Sequence, residues 1–172
     1  MKKKITIIIS LAISLMLSSC SLGGGRMFFD NDDKIAELRF EQVVKAIQSH
    51  DKNALKLMFS KQALDEADDF GVHMDYLFAF FQGKIESYDG SIGPVDEDYE
   101  HGKEMKEVVS AYDVKTSKGK YVFFLVDYPI NTIHPNNVGI YTLRVITSKD
   151  AKAETTSWQE RKIPGIYKPK KK

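Results

Sequence analysis

The stretch Lys120-Tyr-Val-Phe-Phe-Leu-Val-Asp-Tyr128 decides the fold, because it is the clearest β-strand in the chain. Successive side chains of a strand point to opposite faces. One face carries Val122, Phe124, Val126 and Tyr128, and the other carries Tyr121, Phe123 and Leu125. A strand that is apolar on both faces needs cover on both faces. The sequence therefore predicts a sheet with a layer of structure on each side of this strand.

Helices that precede this strand are expected to supply one of the two layers. A first helix is predicted to start after the cluster 31–33, which can cap it, and Asp51 and Ser60 can cap two more. Apolar residues recur at helical spacing on one face of the first predicted helix and on one face of the third. The first helix carries Phe40, Val43, Val44 and Ile47, and the third carries Phe70, Met74, Leu77, Phe78 and Phe81. Gly83 is expected to end the third helix.

Further strands are predicted on both sides of the 120–128 strand. They cover residues 84–95, 104–116 and 137–147, and Lys118-Gly119 is predicted to form a turn. The acidic run 96–100 is expected to be a solvated loop. Helices followed by antiparallel strands predict an α+β domain, with N-terminal helices packed on a curved antiparallel sheet.

The second face of the 120–128 strand has two candidate covers. A second copy of the protein would make this face the interface of a homodimer formed through the sheet. The C-terminal segment around Trp158, Ile163 and Ile166 would instead fold back over it. The sequence leaves both alternatives open.

The N-terminus has the three-part layout of a secretory signal peptide. Three lysines follow Met1, and the apolar run from Ile5 to Leu17 is shorter than the roughly 20 residues of a membrane-spanning helix. The run ends in Leu17-Ser18-Ser19-Cys20, which resembles the bacterial lipobox of an aliphatic residue, two small residues and cysteine. The resemblance implies cleavage between Ser19 and Cys20 and a diacylglyceryl group on the Cys20 thiol.

The anchor divides the chain into four predicted parts. They are a signal peptide at 1–19, a lipidated cysteine and flexible tether at 20–33, a single α+β domain at 34–167, and a basic tail at 168–172. The acylated Cys20 would make membrane lipid a partner and place the domain on the extracytoplasmic face of the bacterial cell membrane. Cys20 is the only cysteine, so the domain has no internal disulfide.

Three later stretches carry a resemblance to known families. They are Ala54-Leu-Lys-Leu-Met-Phe-Ser60, Met74-Asp-Tyr-Leu-Phe-Ala-Phe-Phe-Gln-Gly83 and Pro164-Gly-Ile-Tyr167. With the lipobox, they resemble a family of small bacterial lipoproteins that contain an uncharacterised domain. The order of elements resembles the nuclear transport factor 2-like fold, in which a bent sheet wraps around helices to form a cone. The resemblance implies this fold and an envelope location, and it transfers no catalytic residue to this chain.

Charge and motifs narrow the functions that the sequence supports. The chain has 25 basic and 24 acidic side chains, and a near-neutral domain argues against nucleic acid as a partner. Asp30, Asp32 and Glu41 match three positions of a calcium-binding loop, but Lys34 and Ile35 occupy positions that need an oxygen ligand and a glycine. The sequence has no Cys–His cluster and no glycine-rich phosphate loop before a helix. It therefore predicts no metal and no cofactor.

Asp69 and His73 are the weak candidates for catalysis. They lie four residues apart on the third predicted helix and so share a face. A buried carboxyl–imidazole pair in a cone pocket, with Tyr112, Tyr128 or Tyr141 as donors, could move a proton. The alternative is a solvated face opposite the apolar stripe.

The leading functional hypothesis from the sequence is a membrane-anchored ligand-binding or protein-interaction module without catalytic activity. The alternative is a small-molecule enzyme of the isomerase or dehydratase type that uses a cone pocket. A third option is a purely structural component of the envelope. The sequence identifies no ligand for the module or for the enzyme.

Overall fold

The computed structural model describes residues 24–169, and the compact unit that contains the sheet begins at Asp32. Four helices come first: α1 (Gly24–Gln48), α2 (Lys52–Leu57), α3 (Lys61–Glu66) and α4 (Phe70–Phe80). Four long strands follow: β1 (Ile85–Glu100), β2 (Lys103–Thr116), β3 (Lys120–Asn131) and β4 (Gly139–Thr147). The described chain ends with α5 (Ser148–Ala153), α6 (Trp158–Arg161) and β5 (Gly165–Ile166). The α+β class is therefore confirmed. Within residues 24–169, no helix combines the length and hydropathy needed to cross a bilayer.

The helix starts agree with the sequence at two positions and differ at two others. Asp51 accepts a hydrogen bond from the backbone of Ala54 at 2.9 Å, and Ser60 accepts one from Ala63 at 3.0 Å, so both predicted caps are confirmed. Helix α1 begins at Gly24, so its predicted start after residue 33 is wrong, and residues 24–33 of the predicted tether are helical. The predicted third helix is two helices, α3 and α4, because the chain turns at 67–69.

The five strands form one open sheet in the order β1-β2-β3-β4-β5. The first three pairs are antiparallel, and β4 and β5 are parallel. The turn at Lys118-Gly119 joins β2 to β3 as predicted. The acidic run 96–100 lies in β1, so the expected loop is wrong there. Its residues pair with β2, where Lys103 and Lys106 supply opposite charge, for example in the 2.6 Å contact between Lys106 and Glu97.

The helices cover one face of the sheet, which we call the inner face. Phe123 and Leu125 of β3 point to this face and are fully buried. Burying a side chain of this size contributes about 1.5–3 kcal/mol. The helical partners of this core include Phe40, Val43 and Ile47 of α1 and Met74, Leu77 and Phe78 of α4. Both predicted apolar stripes therefore form the core.

Three register shifts lie at one level of the sheet. They occur between Ile92 and Val95 in β1–β2, between Lys106 and Val108 in β2–β3, and between Val126 and Asp127 in β3–β4. The residues that follow these shifts lie in one row across four strands: Val95, Val108, Asp127 and Ile140. Because a β-bulge bends its strand and increases the local twist, this row is where the sheet can bend.

Residues 154–163, which we call the strap, contact the outer face of the sheet, whereas Ile166 of β5 belongs to the inner-face core. On the outer face, Val109, Phe124, Val126 and Tyr128 form a second buried cluster. The ammonium of Lys162 donates to Glu107 Oε2 at 2.6 Å and to the Tyr128 hydroxyl at 2.7 Å. The hydroxyl of Thr142 donates to the carbonyl of Ile163 at 2.5 Å. These contacts correspond to the C-terminal cover of the two predicted alternatives, and the homodimer through the sheet stays a prediction.

The close packing of Tyr112 on Gly90 gives a test of the inner face. These residues pair across β1 and β2, and a Cβ at position 90 would lie 2.1 Å from the Tyr112 ring. Gly90→Ala should therefore lower the free energy of unfolding by about 1–3 kcal/mol, as overpacking does. Gly93→Ala is the matched control, since its Cβ would lie 3.5 Å from the nearest atom, and it should cost less than about 0.5 kcal/mol. Urea unfolding measures both variants, and equal costs would contradict this packing.

Candidate functional site

A groove runs between α1 and the edge strand β1, and we call it the α1–β1 groove. The buried face of α1 is formed by Ala36, Phe40, Val43 and Ile47. Asp33, Glu37 and Glu41 are spaced by one helical turn, so they form an acidic stripe beside that buried face. The stripe is exposed and borders the groove on the helix side. Strand β1 borders the other side, where Tyr88 is the central residue.

Tyr88 divides the groove into two cavities of similar volume. The first has ≈ 450 Å³ and is lined by Phe40, Val44 and Ile85, with Glu41 and Lys45 at its rim. We call it the apolar half. The second has ≈ 440 Å³ and is lined by Asp33, Glu37, Tyr112 and residues 89–92 of β1. We call it the acidic half. The Tyr88 side chain lines both halves.

The Tyr88 side chain is held across the groove by α1. Its hydroxyl lies 3.0 Å from Glu41 Oε1 and 3.3 Å from Glu37 Oε1, and its ring meets Phe40 edge to face at 4.9 Å. One hydroxyl proton can be donated to only one of the two carboxylates at a time. The hydrogen bond to Glu41, with smaller contributions from burial and the charges of both glutamates, raises the pKa of Tyr88 to about 12. Tyr88 is therefore a neutral donor throughout the physiological range.

Tyr112 lies beneath the carboxylates of the acidic half. Its ring stacks on Phe40 with centroids 4.0 Å apart, and Gly90 lies on the β1 side of the ring. Burial raises the pKa of Tyr112 to about 12, and the negative charges of Glu37 and Asp33 act in the same direction. Both faces of the Tyr112 ring are therefore occupied by protein.

The predicted catalytic candidates make structural contacts away from this groove. Asp69 has a φ of +36° and caps α4, where its carboxylate accepts from the backbone of Val72 at 3.1 Å. The ring of His73 lies with Nδ1 2.8 Å from the carbonyl of Ile166 in β5, an arrangement in which Nδ1–H donates. Each side chain therefore has a partner other than its predicted one.

The tyrosines expected inside a cone pocket are divided between the two faces of the sheet. Tyr112 is on the inner face and lines the groove, whereas Tyr128 belongs to the cluster beneath the strap. Tyr141 donates to Glu66 at 2.7 Å. Tyr88 is not among the residues predicted from the sequence, although it lies two residues before Gly90 in a predicted strand. That spacing was the available signal, because a glycine in a strand often marks a close approach of another group.

Buried charges lie on a different face of α1 from the acidic stripe. Arg39 donates to Asp127 at 3.0 Å, and Lys106 contacts Asp32 at 2.8 Å. Asp32, which the sequence placed in a helix cap, is thus in a buried ion pair. The second oxygen of Asp127 has no hydrogen-bond partner within the described residues. Burial raises the pKa of Asp127 above its usual range, although Arg39 acts in the opposite direction.

The described residues contain no candidate metal centre. Within residues 24–169, no group of three or more His, Cys, Asp or Glu side chains is arranged to hold a metal ion.

The raised pKa of Asp127 predicts a pH dependence of stability. A carboxyl whose pKa is higher in the folded state stabilises the fold below its unfolded pKa, and this contribution is lost as pH rises through the folded pKa. Asp127→Asn removes the titration. The free energy of unfolding of the wild type minus that of the variant should therefore fall as pH rises from about 3 to about 7. Urea unfolding at several pH values measures this difference, and a difference that rises with pH would contradict the assignment.

Comparison with known proteins places this architecture in a family. Residues 42–148 match a family described as "Domain of unknown function (DUF5104)". The matched region runs from the second half of α1 to the first residue of α5, and it includes Tyr88 and Tyr112 of the groove. A search of curated proteins gave no match.

Proposed function

We propose that the chain, which belongs to the DUF5104 family, is a ligand-binding module whose site is the α1–β1 groove. We place this module on the extracytoplasmic face of the bacterial cell membrane, held there by lipid on Cys20. The observation that carries the proposal is Tyr88, which α1 holds across a groove with an apolar cavity on one side and an acidic cavity on the other.

The dimensions and lining of the groove support a small-molecule ligand. Each half falls within the range of about 300–1,000 Å³ that is typical of ligand pockets. Such pockets combine apolar side chains with a few polar groups that orient the ligand. Phe40, Val44 and Ile85 supply the apolar surface here, and Tyr88 and Glu37 supply the polar groups. Since the Tyr88 hydroxyl already has partners in the free protein, binding would require little ordering of this side chain.

We extend the proposal to the fold and the oligomeric state. The row of register shifts and the helices on the inner face support a nuclear transport factor 2-like cone, with the groove at one margin of its sheet. Self-association through the outer face is a further proposal. It would compete with the strap, because Lys162 already contacts Tyr128 on this face.

The alternative function, an isomerase or dehydratase, receives less support from the contacts. Its candidates were Asp69 and His73, and these side chains are engaged by the cap of α4 and by the carbonyl of Ile166. The groove is lined by other residues. We therefore prefer binding without catalysis.

Filling the apolar half tests the binding site. Small polar fragments would be screened by saturation-transfer NMR against the full chain in nonionic micelles. Val44→Trp should abolish the signals of groove-binding fragments, because the larger ring occupies the apolar half. Leu38→Trp is the matched control, since Leu38 is on the same helix, is 58% exposed and does not line either half. Signals that survive Val44→Trp unchanged would place the site elsewhere.

The lipid anchor is tested at Cys20, which lies outside the described residues. Cys20→Ala should abolish incorporation of radioactive palmitate in the producing bacterium, because the thiol is the acylated group. Ser21→Ala, the second residue after the proposed cleavage point, should label like the wild type. Undiminished labelling of Cys20→Ala would refute the anchor.

A further inference from the structure

The two halves of the α1–β1 groove differ in the kind of ligand atom that they favour. The apolar half offers the ring of Phe40 and the aliphatic side chains of Val44 and Ile85. The acidic half offers Glu37 and Asp33. Tyr88, which is 38% exposed as a residue, stands between them. A ligand that spans the groove must therefore be apolar at one end and complementary to negative charge at the other.

The acidic stripe lacks full compensation by basic groups of the described chain. Asp33, Glu37 and Glu41 are spaced by one helical turn, and like charges at this spacing repel each other. None of the three takes part in an ion pair within residues 24–169. The hydroxyl proton of Tyr88 can be donated to Glu37 or to Glu41, but only to one of them at a time.

Two exposed lysines of α1 flank the stripe: Lys34 precedes Glu37 by three residues, and Lys45 follows Glu41 by four. Neither forms an ion pair with the stripe within residues 24–169. Lys45 lines the apolar half, whereas the charged residues that line the acidic half are Asp33, Glu37 and Asp89.

We propose that the α1–β1 groove binds an alkylammonium group. This inference rests on the proposed function of the groove and specifies its ligand. The ammonium lies beside Glu37 against the exposed ring of Tyr88, since a carboxylate and an aromatic face both attract a cation. The alkyl stem passes Tyr88 and contacts Phe40 and Val44 in the apolar half. The same charges exclude carboxylate and phosphate ligands from the acidic half.

Two sources offer this chemistry, namely a small free amine and the lysine side chain of a protein partner. Both present a short aliphatic stem that ends in an ammonium, so the groove contacts are the same. The difference between the two lies in the peptide backbone, which only the lysine source places next to the groove. Nα-acetyl-lysine methylamide and n-butylammonium therefore distinguish them.

The test is a titration of the full chain in nonionic micelles, followed by NMR, with n-butylammonium and with the uncharged analogue 1-butanol. n-Butylammonium should bind at least about tenfold more tightly than 1-butanol, and 1 M salt should reduce this preference. Glu37→Gln should weaken n-butylammonium on the order of tenfold and leave 1-butanol unchanged. Glu104→Gln is the matched control, because Glu104 is also a carboxylate that accepts from a tyrosine hydroxyl, that of Tyr99 at 3.1 Å, but it is outside the groove.

The outcomes separate this inference from the proposed function. If both probes bind equally and Glu37→Gln has no effect on either, the alkylammonium ligand is refuted and the groove stands as a site. If Glu104→Gln weakens n-butylammonium as much as Glu37→Gln does, the binding is non-specific and the inference is also refuted. If neither probe binds and Val44→Trp changes no fragment signal, the proposed function itself fails. Tighter binding of Nα-acetyl-lysine methylamide than of n-butylammonium supports a lysine side chain, and equal or weaker binding supports a free amine.

Discussion

The structure depends on one strand that is apolar on both faces. Phe123 and Leu125 of β3 are buried toward the helices, and Phe124 and Val126 are buried on the outer face, where the strap contacts Tyr128. Water would contact one of these sets if either cover were missing, at a cost of about 25 cal/mol for each Å² of apolar surface exposed. Residues 120–128 therefore need both the helices and the C-terminal segment to keep their apolar side chains from water. The central position of β3 in the sheet follows from this requirement.

The position of α1 links the core to the groove. To cover the inner face, α1 buries Phe40 against Phe123 and Tyr112. This orientation places the neighbouring acidic stripe opposite the edge strand β1. Gly90 has no side chain, so the Tyr112 ring occupies the space next to it. Tyr88, two residues earlier in β1, is the large side chain that lines the groove beside Tyr112. The groove is thus a consequence of how the core is packed, and its charge comes from residues that the core does not use.

The parts of the fold that the sequence predicted are those with a local signal. The alternation in 120–128, the turn at Lys118-Gly119 and the stripe of α4 each depend on spacing within a few residues, and all three are confirmed. Membership in a family of uncharacterised domains is confirmed as well. The strand at 96–100 was missed because its charges suggested solvent. This segment is held in the sheet by its pairing with β2 and by the contact of Glu97 with Lys106. Both interactions involve residues of another strand, so the local sequence of the segment does not reveal them.

The candidate site was less predictable because its residues come from elements far apart in the sequence. Tyr88 and Glu41 are joined by a hydrogen bond across 47 positions, and no local pattern reports such a contact. Tyr112 was among the tyrosines predicted to line a pocket, and it lies in the predicted strand 104–116, where apolar and polar residues alternate. Asp69 and His73 were singled out by helical spacing alone, and the structure gives each a different partner. Spacing within a helix identifies neighbours, but it does not identify which group a neighbour will bond.

A single chain covers both faces of β3, with the strap on the outer face. A mixed sample of isotope-labelled and unlabelled chains allows nuclear Overhauser effects within chains to be compared with those between chains. Contacts between the Lys162 methylenes and the Tyr128 ring should appear only within one chain, consistent with the 5.3 Å from the Lys162 nitrogen to the ring centroid. Detection of the same contacts between chains, or their absence from both spectra, would show that the chain does not cover its own outer face in this way.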